Sequence, residues 1–507
     1  MSRSKKYLMK TLTLFFLSIF SFCGSAQNEI EYLTKSQVAD DLAELDAILQ
    51  LESSYQGLNG YHYQKDLDDF LANIPKSGIS LFDFELFLTK VIGKIGDRHA
   101  YVKGERLRNT LFLPFAFAPH EGKVLVMEYE RTAKEYRFFN REFPYLQSVN
   151  GIPIDSLLSL ILPGDILAPK KSYAIRAIRE LRDIETIFKK LNTDLPNPIP
   201  LTLSNEEGKQ QNILVELVTR EGRTRYWDER IYRKTYLIQE KDYNDSTIIE
   251  RFFQLKNNIA YIELVDMVDK EESPLFFEYL NSFMVEAKQS EALIIDVRDN
   301  GGGTRHLIHE LAGYIVHPDS VYVVNVAKQR SEESLNEEQK EDLHDRYLYS
   351  RDEKDEKEQR AIDQFMISFK PTYDLSDEKF SEYHYYLLNG QKLTNNKYHF
   401  NKPVYILANE RSFSAASILV SVLKGLPNIT IAGVTTDGSS GNSQRFELSN
   451  SGLRGKISTM VSFQKDGQLL DGIGTKPDII IERSLDQIFW KEDFQLNTVF
   501  QLIKEKQ

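Results

Sequence analysis

Asn409-Glu410-Arg411-Ser412-Phe413-Ser414-Ala415-Ala416-Ser417 sets serines between two apolar runs. Pro403 to Ala408 before it reads as a buried strand. Ile418 to Leu423, followed by Lys424 and Gly425, reads as a helix with a glycine stop. A hydroxyl at such a junction lies at a helix N-terminus, where unpaired N–H groups and the dipole favour negative charge. That suits a serine oxygen attacking a carbonyl, and donors that hold the resulting oxyanion. A simple helix cap at Ser412 or Ser414 would explain the same residues. A second apolar run, Ala292 to Val297, ends in Arg298-Asp299-Asn300-Gly301-Gly302-Gly303. Its glycines let backbone N–H groups approach a ligand closely, although a flexible loop needs no more. A third polar cluster, Asp97-Arg98-His99, follows a helical pattern ending near Gly93 to Gly96. A histidine there can be an ordinary partner of the helix dipole, and the chain has nine histidines.

Taken together, the serine turn and the glycine turn resemble those of the tail-specific (C-terminal processing) serine peptidases, which include the tricorn core. In that family a strand ending Asp-x-Arg-x-Asn-x-Gly-Gly precedes a Ser-x-Ser-Ala turn. Here these are Asp296 to Gly303 and Ser412 to Ala415. The likeness continues through Gly433-Val434-Thr435-Thr436-Asp437-Gly438 and Gly472-Ile473-Gly474-Thr475-Lys476-Pro477-Asp478. The resemblance implies Ser414 as nucleophile, with the backbone N–H groups of Gly302 and Ala415 as the oxyanion hole. The processing branch carries a lysine base 25 positions after the serine, where this chain has Ser439. The tricorn-like branch has its histidine in a Gly-x-x-His-x-Tyr turn, which implies His99 as the base. It also implies Asp471, just before the Gly-x-x-Pro-Asp turn, as the supporting carboxylate. Arg98 departs from that branch, which has a serine before the histidine. Such a triad implies Asp471 within one or two hydrogen bonds of His99. For a base of ordinary imidazole pKa, it also implies one activity limb near neutral pH.

The elements that must hold these residues follow in chain order. Residues 1–26 read as a signal peptide: Arg3, Lys5, Lys6 and Lys10, then an apolar run from Thr11 to Phe22 too short to span a bilayer, then Gly24-Ser25-Ala26. Cys23, the only cysteine, lies inside it. Phe22 before it disfavours lipidation, and the mature chain would have no thiol. Residues 27–105 read as an N-terminal helical domain, with Val38, Leu42, Leu45 and Leu49 at helix spacing. Residues 106–225 are rich in short strands, among them Leu111 to Phe115 and Lys123 to Met127. Within them, Val149-Asn150-Gly151-Ile152-Pro153 followed by Ser156-Leu157-Leu158 resembles the strand-turn-helix of PDZ modules, without their carboxylate-binding loop. Residues 256–484 form the peptidase core. A charged insertion at about 331–398 reads as a solvated helical surface, with a lid as the functional alternative. Residues 485–507 are a C-terminal helix.

Composition narrows the class further. A formal charge of −12 disfavours non-specific nucleic-acid binding. No HExxH, CxxC, P-loop or dinucleotide pattern is found, so the chemistry reads as cofactor-free and metal-free. No further stretch is apolar for long enough to make a stable membrane span.

The expected fold is a multidomain α/β protein. The resemblance implies a ClpP/crotonase-like ββα spiral core beside the helical domain and the PDZ-like β-rich module. The expected function is that of an exported, periplasmic or extracellular serine endopeptidase acting on extended polypeptides. The alternative is a catalytically inactive ligand- or peptide-binding protein on the same scaffold, as in the retinoid-binding repeats of the interphotoreceptor protein. An esterase is a weaker third possibility.

Overall fold

The structure, a computed structural model, describes residues 32–104, 109–162, 167–225 and 242–505. The expected signal peptide lies outside them. A six-stranded sheet runs in the order Phe253–Lys256, Ile259–Glu263, Ala292–Asp296, Val404–Ala408, Ile429–Gly433, Ile479–Ile480. The first strand is antiparallel and the others are parallel. The three central strands, 259–263, 292–296 and 404–408, are buried along their whole length. Their unbroken apolar runs are the signature of a parallel sheet covered on both faces. Helices Pro274–Glu286, His306–Ile315 and Ala415–Leu423 pack on one face. Helix Phe494–Glu505 covers the other through Val499 and Ile503, against Tyr261, Ile294 and Tyr405.

Three helices lie in the N-terminal region, Lys35–Glu52, Tyr63–Asn73 and Leu81–Ile95, and the first and third follow the apolar patterns of the sequence. The first opens with a capping box of Thr34 and Gln37. The third ends at Gly96, whose φ of 86° is the left-handed cap glycine allows. Their apolar faces share one core with Val326, Tyr385, Val461 and Phe463. Those residues belong to a sheet of strands His384–Asn389, Val321–Gln329 and Met460–Gln464. Distant parts of the sequence therefore fold against one another here, which sets the position of His99 relative to the serine turn.

Two sequence readings need correction. Leu111 to Phe115 is not a strand; only Phe112 makes a bridge, to Val218. Pro114 has no N–H to donate and interrupts a ladder at that point. The charged insertion is not only a solvated helical surface. It holds helices Glu337–His344 and Glu356–Met366, but also the fully buried strand His384–Asn389. Charge density at its start hid an apolar strand at its end. Between residues 116 and 215 seven strands form one sheet. It is packed with helices Ile154–Ile161, Lys170–Glu180 and Ile184–Lys190 through Leu157, Ile178 and Phe188.

Candidate active site

Strands Ala292–Asp296 and Val404–Ala408 are parallel neighbours, so the turns leaving their C-terminal ends are adjacent. This end of a parallel sheet is where ligands usually bind. Hydrogen bonds tie the two turns together. Phe413 N donates to Asn300 O at 2.9 Å, Ser412 Oγ to Val297 O at 2.8 Å, and Asp299 N to Asn409 Oδ1 at 3.1 Å. An ion pair from Arg411 Nε to Asp299 Oδ1 at 3.1 Å adds to them. Ser412 is thus a buried structural hydroxyl. Ser417 is another, bonded to Thr436 Oγ1 at 3.1 Å.

Ser414 differs from both. It stands at the N-cap of helix Ala415–Leu423 with φ 52° and ψ −122°. A non-glycine residue there is strained, and such strain is typical of functional turns. Its side chain makes no cap hydrogen bond. Its backbone N–H donates to Ser439 Oγ at 2.9 Å. Ala415, first in the helix, has no intrahelical partner for its N–H. Gly302, φ 89°, lies so close that a Cβ on it would be 2.6 Å from Ser414 Cβ. Its N–H is already engaged, donating to Asn300 Oδ1 at 2.8 Å. Asn300 also donates to Leu264 O at 2.8 Å, so this buried amide shapes the glycine turn.

His99 reaches the same place from the N-terminal helices. Its ring packs edge-on against Phe413, with centroids 5.1 Å apart. Asp97 fixes the turn that carries it. Its carboxylate accepts from His99 N at 2.9 Å, Ala100 N at 3.1 Å, Ser458 N at 2.6 Å and Ser458 Oγ at 2.7 Å. The ring is buried, and Nδ1 has no hydrogen-bond partner. Burial above all, then the positive Lys456, Arg98 and Arg346, push the imidazole down to about 3. The expectation of a titration near neutrality is therefore not met. No hydrogen bond joins His99 to Ser414 among the described residues.

Asp471 is also buried. Its carboxylate accepts from Ser440 N at 3.0 Å and from the Ser440 hydroxyl. Burial pushes it up to about 6, against the Ser440 hydrogen bonds that stabilise its charged form. No hydrogen bond joins it to His99. Instead it holds Ser440, and the backbone of the next residue, Gly441, lies against the His99 ring. Its link to the ring therefore passes through the 440–441 turn. Arg98, which replaces the family serine, donates to Asp437 and, at 3.0 Å, to Ser172 Oγ. His306, another histidine beside the glycine turn, accepts from Lys270 N at 3.1 Å and lies 3.3 Å from Asp269.

Sequence reasoning missed several neighbours. Ser439 stands 25 positions after Ser414, where the processing branch has its lysine, and Asn300 and Phe413 lie inside the glycine-turn and serine-turn motifs. Arg346 comes from the charged insertion and reaches the site by donating to Asn442 Oδ1 at 2.8 Å; nothing in its local sequence signals this. Among the described residues, no group of three or more His, Cys, Asp or Glu side chains could hold a metal ion, and no helix is long and apolar enough to cross a membrane.

Residues 258–481 match the model of peptidase family S41. No curated protein matches the chain. Among solved structures, mature CPAF superposes with a TM-score of 0.61 at 15% identity, over 93% of this chain and 97% of its own. CPAF complexed with lactacystin gives 0.59 at 15% identity, over 93% and 98%. The photosystem II D1 C-terminal processing protease gives 0.42 at 11%, over 91% and 98%. At these identities the likeness to CPAF is one of fold.

Proposed function

Residues 258–481 belong to peptidase family S41 and make this chain a serine-type peptidase, and from that premise we propose that it is an endopeptidase that cleaves extended polypeptides through an acyl-enzyme on Ser414. One observation carries this reading: two hydrogen-bonded turns hold a strained serine, its side chain free of any capping role, against Gly302 at a helix N-terminus. Ser414 Oγ attacks the scissile carbonyl carbon as His99 accepts its proton. The oxyanion is held by the N–H of Ala415 and, once it leaves Asn300 Oδ1, the N–H of Gly302. Collapse of the tetrahedral intermediate breaks the C–N bond, and His99 returns the proton to the leaving amine. Water then attacks the ester by the same route and frees Ser414. Because His99 and Ser414 are not hydrogen-bonded, substrate must draw them together, as catalytic contacts often tighten only in the complex.

Asp471 acts in this reading by holding the 440–441 turn against His99. Residues 1–26 serve as an export signal, a proposal supported by their basic start and apolar run. Domain boundaries follow the sequence reading, with a ClpP-like spiral core at 256–484. Residues 106–225 act as a PDZ-like module, supported by strand Tyr145–Val149, the Asn150-Gly151 turn and helix Ile154–Ile161. The test is hydrolysis of an unstructured polypeptide by the full chain and by Ser414→Ala. A loss of at least ~10³-fold in the variant is expected; equal rates would remove the assignment.

A further inference from the structure

Asp437 joins the turn of the candidate nucleophile to the turn of the candidate base. Its own turn follows strand Ile429–Gly433 and is fixed to the serine turn at three points. Ser417 Oγ and Thr436 Oγ1 are hydrogen-bonded at 3.1 Å, Asp437 N donates to Ser412 O at 3.2 Å, and Ser439 Oγ accepts from Ser414 N at 2.9 Å. The Asp437 backbone is therefore tied to Ser414. Its side chain reaches the other way. Asp437 Oδ2 accepts from Arg98 Nη2, and Arg98 directly precedes His99.

A third residue closes this contact. Ser172, on helix Lys170–Glu180, donates from Oγ to Asp437 Oδ2 at 2.5 Å and accepts from Arg98 Nη2 at 3.0 Å. Arg98, Ser172 and Asp437 are all buried. Among the described residues Arg98 Nε and Asp437 Oδ1 have no hydrogen-bond partner, so the hydrogen bonds of the link form a single triangle. Arg176, one turn beyond Ser172 on the same helix, attracts Asp437 and repels Arg98. Asp437 thus balances two guanidinium groups, whereas Ser172 contributes no charge.

We propose that Asp437 and Ser172 are positioning residues, which set His99 against Ser414 by holding Arg98. The proposal rests on the reading of Ser414 and His99 as the reacting pair. The ion pair itself adds little net stability, because the lost hydration of two buried charges offsets their attraction. What it fixes is where a turn from the N-terminal helices lies relative to a turn of the parallel sheet. Asp97 holds the same turn from its other side, through Ser458. Without the Arg98 contact the turn keeps only that anchor, and the distance from His99 to the serine is no longer fixed. A displacement of about 1 Å at such a point costs on the order of 10² in rate. Helix Lys170–Glu180 therefore takes part in catalysis through Ser172, which touches no reacting atom.

The test measures hydrolysis of one peptide by the full chain, per folded molecule, with thermal unfolding as the check on folding. Asp437→Asn is expected to lower kcat about a hundredfold and Ser172→Ala about tenfold, with KM changed by less than about twofold. Arg98→Ala combined with Ser172→Ala should cost no more than Arg98→Ala alone, because both act through one link. A second readout needs no turnover. In Ser414→Ala with isotopically labelled histidine rings, the His99 NMR signal is identified by its loss in His99→Gln. Adding Ser172→Ala should shift that signal and leave that of His306 in place. Should Asp437→Asn fail to fold, Ser172→Ala decides. Unchanged kcat in folded Ser172→Ala, an unmoved His99 signal, or losses that multiply in the double variant overturn the proposal. A wild type that hydrolyses nothing counts against the proposed peptidase reaction alone, and the His99 signal then decides.

Discussion

The His99 ring meets the Phe413 ring edge-on, with centroids 5.1 Å apart and planes at 67°. Phe413 directly precedes Ser414, so the residue that positions the candidate base is joined covalently to the candidate nucleophile. Aromatic pairs of this kind contribute about 1 kcal/mol beyond burial. Phe413→Leu is expected to lower kcat roughly tenfold with little change in KM. Steady-state kinetics on one peptide checks this; an unchanged kcat means the ring is held by other contacts.

Gly302 admits no side chain. A Cβ would lie 2.6 Å from Ser414 Cβ and 2.9 Å from Phe413 O, and φ is 89°. Gly302→Ala should cost about 2 kcal/mol or more in stability through the left-handed backbone and the overlap. It should also abolish hydrolysis in the fraction that remains folded. Denaturant unfolding and activity per folded molecule separate the two effects.

His99 links stability to acid. Its folded pKa of about 3 lies below the unfolded value, so between about pH 6.5 and 3 the unfolded chain binds the extra proton. Stability from this group is complete above pH 6.5 and is lost as pH falls, by up to roughly 5 kcal/mol. His99→Gln should flatten that part of the stability profile. Activity of the wild type should show no histidine limb near neutrality, as a pH–rate profile on an uncharged peptide can verify.

Asp471 has the opposite sign. Its folded pKa of about 6 lies above the ordinary carboxyl value, so stability from this group is complete below about pH 4 and declines as pH rises through 6. Asp471→Asn should remove that decline, since the amide oxygen can still accept from Ser440 N. Because no hydrogen bond joins Asp471 to His99, turnover should fall by about tenfold or less, short of the ~10⁴ of a neutralised triad carboxylate. A loss of that larger size would mean that Asp471 contacts the base directly during catalysis.

Much of the framework was legible because its signals are local. The apolar runs at 292–296 and 404–408 read as buried strands, and Gly96 marked a helix end. Family motifs carried Ser414 and Gly302, which the fold brings into contact. What lay beyond the sequence was long-range. The N-terminal helices share a core with Val461 and Phe463, and Arg346 reaches in from the insertion. The field around His99 is set by Lys456 and Arg98, far apart in sequence. Asp471 was chosen by motif position, but its carboxylate is directed at Ser440 by a turn whose geometry no spacing rule reveals.

The most direct measurement of the central claim is to treat the full chain with a fluorophosphonate probe and locate the adduct by mass spectrometry. An activated serine is required for labelling. A single adduct on Ser414, absent in Ser414→Ala and strongly reduced in His99→Gln, is the result expected. A folded wild type that takes no label, or carries it on Ser412, Ser439 or another serine, would contradict the account.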